Sequence, residues 1–226
     1  MKIAVLGTGM VGKALADRLA ELGHEVSVGT RNVAATMAST EPDRRGNPPF
    51  AVWATDHPQV RLASFAEAAA DAEVIVNATS GNVSIAALEA AGEDSLAGKV
   101  LLDISNPLDG SRGFPPTLFV KDTDSLGEQI QAAFPALKVV KALNTMTASL
   151  MVDPRQLADG QHSVFVAGND PEAKRTVTAL LNSFGHTDVI DLGDISSARG
   201  AEMYLPLWLR LVGALNTPIF NIKVVR

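Results

Sequence analysis

Residues Lys2-Ile3-Ala4-Val5-Leu6-Gly7-Thr8-Gly9-Met10-Val11-Gly12 carry an apolar run straight into a turn built on three glycines. A helical pattern follows, with Val11, Leu15, Leu19 and Leu22 at i, i+4, i+8 and i+11, while Lys13, Asp17, Arg18 and Glu21 face elsewhere. Gly23 suits the position just past its end. Each glycine of the turn has a physical use. Gly7 permits the tight turn, Gly9 lets the backbone approach a pyrophosphate, and Gly12 allows close packing of helix on strand. The diphosphate of a dinucleotide then sits on the helix N-terminus, where free N–H groups and the positive dipole end converge. A second strand over 25–28 falls in the register this motif requires.

The end of that second strand selects the dinucleotide. A carboxylate there would bind the ribose 2′-hydroxyl of NAD and repel a 2′-phosphate. The chain reads Gly29-Thr30-Arg31-Asn32 instead. A guanidinium fork, a hydroxyl and an amide can all donate to a phosphate, so NADP(H) is the expected cofactor.

Working outward, short apolar runs at 2–6, 25–28, 61–63, 73–77, 99–103, 138–142, 163–167 and 188–191 alternate with helical stretches. That order predicts an α/β fold, a Rossmann-type doubly wound and mainly parallel sheet. We expect an NADP-binding unit over 1–145 and a small C-terminal extension over 146–226 that adds strands and a terminal apolar helix. Two Pro- and Gly-containing segments, 40–59 (with the run Arg44-Arg45-Gly46-Asn47) and 106–116, read as loops. A chain of 226 residues buries about 70% of its surface without staples. It has no cysteine, which excludes disulfides, thiolate metal sites and thiol nucleophiles. With 19 basic and 25 acidic residues it carries −6, so nucleic acid is not an expected partner. Met1 to Leu6 leads directly into the turn without a secretory pattern, and a cytoplasmic location is expected. The apolar stretch 203–222 is interrupted by Pro206, Arg210, Asn216 and Pro218, so it reads as a buried helix rather than a membrane span. Its residues Tyr204, Leu205, Leu207, Trp208, Leu211, Val212 and Leu215 fit either core or a dimer contact, and a homodimer is expected.

Ligands of open α/β sheets bind beyond the carboxyl ends of the strands. Three such ends are polar and uncharged: Ala78-Thr79-Ser80-Gly81-Asn82, Ile104-Ser105-Asn106-Pro107 and Leu143-Asn144-Thr145. They are expected to meet around the nicotinamide. His24, His57, His162 and His186 are scattered, and the first and last two lie at element boundaries where exposed histidines are common. No catalytic acid or base and no metal-ligand set is assigned. Reduction of a carbonyl needs a proton donor beside the hydride acceptor, whereas exchange between nicotinamide and a flavin-like ring needs mainly stacking and exclusion of water. The small-molecule redox acceptor is therefore expected to be a flat ring.

Together with Val139-Val140-Lys141-Ala142-Leu143-Asn144-Thr145 and Phe165-Val166-Ala167-Gly168-Asn169-Asp170, these motifs resemble the NADP oxidoreductases dependent on the deazaflavin coenzyme F420 and the related cytosolic domains of STEAP ferrireductases. The resemblance spans nearly the whole chain. It implies NADP(H) contacts from Thr8, Met10, Val11, Thr30, Arg31, Asn32, Thr79, Asn106 and Asn144, and a deazaflavin or flavin ring near Asn144 and Thr145. Two other readings stay open. Imine and β-hydroxyacid-type reductases share the glycine motif but need a large helical C-terminal domain, for which the 81 residues after Thr145 leave little room. A non-catalytic NADPH-binding regulator fits the lack of an acid–base pair.

Overall fold

In a computed structural model, described here over residues 1–42 and 46–226, the predicted α/β pattern is borne out. The strands are β1 (Lys2–Leu6), β2 (Glu25–Thr30), β3 (Arg61–Ser64), β4 (Val74–Asn77), β5 (Val100–Asp103), β6 (Leu108–Asp109), β7 (Thr117–Leu118), β8 (Lys138–Ala142), β9 (Ser163–Gly168) and β10 (Asp188–Asp191). The helices are α1 (Met10–Glu21), α2 (Val33–Ala38), α3 (Phe50–Asp56), α4 (Phe65–Ala70), α5 (Ser84–Ala91), α6 (Glu93–Leu96), α7 (Leu126–Ala133), α8 (Ala148–Val152), α9 (Pro171–Phe184), α10 (Ala198–Met203) and α11 (Leu205–Leu215).

Among the described residues the main sheet has eight strands in the order β10-β9-β8-β5-β4-β1-β2-β3. All neighbours pair in parallel except β8 with β9. Alternation along β1 divides the core: Ile3 and Val5 join the cluster on one face, and Ala4 and Leu6 the cluster on the other. The first face packs under α1, α8 and α9, the second under α4, α5 and α7. Chain order reverses between β1 and β4, so a crevice opens above their carboxyl ends.

The structure corrects four expectations. The segment 40–59 contains α3. Pro49 caps that helix, Phe50 is buried, and Lys13 Nζ donates to the Pro48 carbonyl at 2.6 Å. His57 stacks on Trp53 and reaches Asp17 at 3.1 Å, so docking on α1 outweighs the local proline content. Arg44 and Arg45 lie outside the described residues. The second segment, 106–116, is not wholly loop, because β6 pairs with β7 in a small hairpin. His162 and His186 are buried, not exposed, with ring centroids 6.2 Å apart. Finally, α11 is not a buried helix within the chain: Leu205 and Leu209 are buried, while Leu207 and Leu215 are 56% and 52% exposed. Among the described residues no helix is long and apolar enough to cross a membrane.

Candidate functional site

The glycine turn works as a set of close approaches. Gly7 has φ +121°, and a Cβ there would sit 2.7 Å from the Ala78 carbonyl oxygen. A Cβ on Gly12 would land on the Gly7 carbonyl. Gly9, by contrast, faces open space among the described residues, since a Cβ there meets none of their atoms within 4 Å. It is also the N-cap of α1 and provides no side-chain hydrogen bond, so the first-turn N–H groups are left for a ligand.

That turn forms one wall of a cleft of about 480 Å³. Gly9, Met10 and Val11 line one side; Ala78, Thr79, Ser80, Gly81 and Asn82 beyond β4, and Ile104, Ser105 and Asn106 beyond β5, line the rest with Leu108. None of these side chains is ionisable. The tips of β4 and β5 touch, because a Cβ on Gly81 would fall on the Asn106 carbonyl. Thr79 Oγ1 donates to Asn77 Oδ1 at 2.6 Å, which aims Thr79 from the strand end.

Of the sequence-predicted residues, Gly9, Met10, Val11, Thr79, Ser80 and Asn106 come together in this cleft, with Gly7 and Gly12 beneath it and Thr8 in the same turn. Asn144 and Thr145 are buried below Asn106 and do not line the cleft. Leu143 before them has φ +61°, a conformation costly for a bulky side chain, and Asn144 follows directly with its amide bonded to Asn106. Thr30, Arg31 and Asn32 stand apart at the end of β2. Thr30 Oγ1 pairs with Thr36 Oγ1 at 2.8 Å, Asn32 Oδ1 caps α2 by accepting from Ala35 N at 2.9 Å, and Arg31 is exposed.

Sequence reasoning missed a buried charge cluster under the tips. Lys141 Nζ lies 2.6 Å from Asp103 Oδ2 and 2.8 Å from Glu202 Oε1. Burial alone would push the ammonium down, but the two carboxylates outweigh it and hold Lys141 above the ordinary lysine value. Its only signal in the sequence is an ionisable residue ending or interrupting each of two apolar strands.

Comparison with known proteins agrees with this architecture. Residues 2–107 match the family model described as NADP oxidoreductase coenzyme F420-dependent. The crystal structure of a protein from Arthrobacter sp. FB24, assigned as an F420-dependent NADP-reductase, is similar with 63% identity and a TM-score of 0.97, each chain covered in full. The F420-dependent NADP reductase of Methanothermobacter marburgensis is 29% identical over 93% of this chain and 92% of its own. The rat metalloreductase STEAP3 is 31% identical over 92% of this chain, which spans only 38% of that longer protein.

Proposed function

Because the chain belongs to the family of coenzyme F420-dependent NADP oxidoreductases, we propose that it transfers a hydride between NADPH and the deazaflavin ring of coenzyme F420 or a flavin-like ring. The observation that carries this reading is the cleft, in which an uncapped helix N-terminus faces strand tips that are polar but uncharged. Such a site can hold a diphosphate at one end and a carboxamide at the other without a residue that gives or takes a proton. When bound, the nicotinamide supplies the hydride, and alignment of the two rings at about 3–3.5 Å is what the protein must provide.

In this reading Gly7, Thr8, Gly9, Met10, Val11 and Gly12 hold the pyrophosphate, and Thr30, Arg31 and Asn32 hold the 2′-phosphate. Thr79, Ser80 and Asn106 meet the nicotinamide end, supported from below by Asn144 and Thr145. Residues 1–145 carry the nucleotide, and 146–226 complete the sheet beside it. The exposed apolar side chains of α11, Leu207 and Leu215, support a homodimer, and sedimentation as a monomer at micromolar concentration would reject it. A cytoplasmic location fits a soluble small-molecule acceptor.

The test is to follow NADPH absorbance with coenzyme F420, FMN, a ferric chelate or no acceptor. Turnover with the deazaflavin or with FMN is expected. Turnover with the ferric chelate alone, or tight NADPH binding with no turnover on any acceptor, overturns the proposal.

A further inference from the structure

The charge cluster under the cleft has an unequal count. Asp103 and Lys141 are registered partners on neighbouring strands, and Glu202 reaches them from α10; the three side chains are at most 2% exposed. Lys141 Nζ donates to the Ser105 carbonyl at 2.9 Å and forms ion pairs with Asp103 Oδ2 and Glu202 Oε1. Both carboxyl groups only accept. Asp103 Oδ1 takes bonds from Asn77 Nδ2 at 2.9 Å, Ser105 N at 3.2 Å and Ser105 Oγ at 2.7 Å. Glu202 takes Leu126 N at 2.8 Å and Gly127 N at 3.0 Å, the first N–H groups of α7. With donors supplying these bonds, the cluster sets two carboxylates against one ammonium. The α7 N-terminus offsets about half a charge of the excess.

This excess is close to the cleft and shielded from water. Ser105 lines the cleft and bonds Asp103 directly, and Thr79 reaches Asp103 through Asn77. Oxidised nicotinamide carries a positive charge that the reduced ring lacks, and a buried negative charge nearby discriminates between them strongly. We infer that the Asp103–Lys141–Glu202 cluster tunes the site toward NADP⁺ over NADPH, making bound NADPH the stronger hydride donor. The inference rests on the nicotinamide lying in this cleft.

Binding alone tests it, without any acceptor. NADP⁺ and NADPH are titrated into the wild type, Glu202→Gln, Asp103→Asn and the double variant Lys141→Met/Glu202→Gln. Wild type is expected to bind NADP⁺ at least as tightly as NADPH. Each single variant removes one negative charge and raises the ratio of the NADP⁺ to the NADPH dissociation constant about tenfold, and the double variant, which restores the net charge, brings the ratio back. An unchanged ratio in a folded single variant, equal losses for both nucleotides, or a wild type that prefers NADPH tenfold or more overturns the inference. A wild type that binds neither nucleotide overturns the reading of the cleft instead.

Discussion

Asn106 and Asn144 are joined twice: Asn144 Nδ2 donates to Asn106 Oδ1 at 3.0 Å, and Asn106 Nδ2 donates to the Asn144 carbonyl at 3.0 Å. Asn144 Nδ2 also donates to the Ala201 carbonyl at 3.1 Å, so one amide ties the β5 tip, the β8 tip and α10 together. Asn144→Ala strands the buried Ala201 carbonyl, at a cost of about 1–3 kcal/mol, and leaves Asn106 at the cleft held only through the backbone carbonyl of residue 144. We expect a lower melting temperature and a fall in kcat on the order of 10²-fold, with KM for NADPH changed much less. Steady-state kinetics and a thermal melt check both. A KM effect larger than the kcat effect would show that Asn144 serves binding rather than alignment.

The exposed Arg31 directly follows β2, where we propose that it holds the 2′-phosphate. Hydrogen bonds to charged groups contribute about 1.5–3 kcal/mol, so Arg31→Ala is expected to weaken NADPH roughly 10- to 150-fold. NADH, which lacks the 2′-phosphate, should be nearly unaffected. Fluorescence titration of both nucleotides decides it, and equal losses would remove Arg31 from the phosphate site.

Gly9 and Gly12 separate binding from folding. A Cβ at Gly9 meets no atom of the described residues within 4 Å, and its φ of −77° suits any residue, so Gly9→Ala should lower the melting temperature only by the small preference of a helix N-cap for glycine over alanine. If the pyrophosphate sits on this turn as proposed, the added methyl blocks its approach, and NADPH affinity should fall more than about tenfold. A Cβ at Gly12 collides with the Gly7 carbonyl and forces α1 off the sheet. Gly12→Ala should therefore lose about 1–3 kcal/mol of stability as well as nucleotide affinity. Identical behaviour of the two variants would contradict the separate roles.

How far such features could be read from sequence depends on how local their causes are. The eight strands of the sheet were legible because each is a short apolar run whose neighbours in sequence are turns and helices. The Gly7–Gly12 turn was legible because strand, glycines and helix are contiguous. Helix α3 was not, since Phe50 burial and the bond from Lys13 to Pro48 come from packing against α1, which no window around 50 contains. Asp103, Lys141 and Glu202 meet only after three distant segments fold, so no spacing reveals the cluster. The buried histidines show the same limit: an element boundary predicts exposure only when nothing else covers it.

His186 provides a pH dependence whose sign can be worked out. Its Nε2 donates to the Met151 carbonyl at 3.0 Å, while its buried Nδ1 has no hydrogen-bond partner among the described residues. Burial lowers its pKa below the ordinary histidine value. The unfolded chain thus binds a proton first, and stability contributed by the neutral ring is lost as pH falls below about 6.5 toward the depressed folded value. The melting temperature should fall between pH 7.5 and 5.5. His186→Gln, whose amide can still donate to Met151, should start lower at pH 7.5 but decline less steeply. Acid weakening of the C-terminal tail does not confuse this window. Lys223, Ser163 and Arg226 hold Asp188 well below the usual carboxylate range, so that contribution stays intact until pH drops past about 4. Parallel slopes for wild type and His186→Gln would assign the pH dependence to other groups.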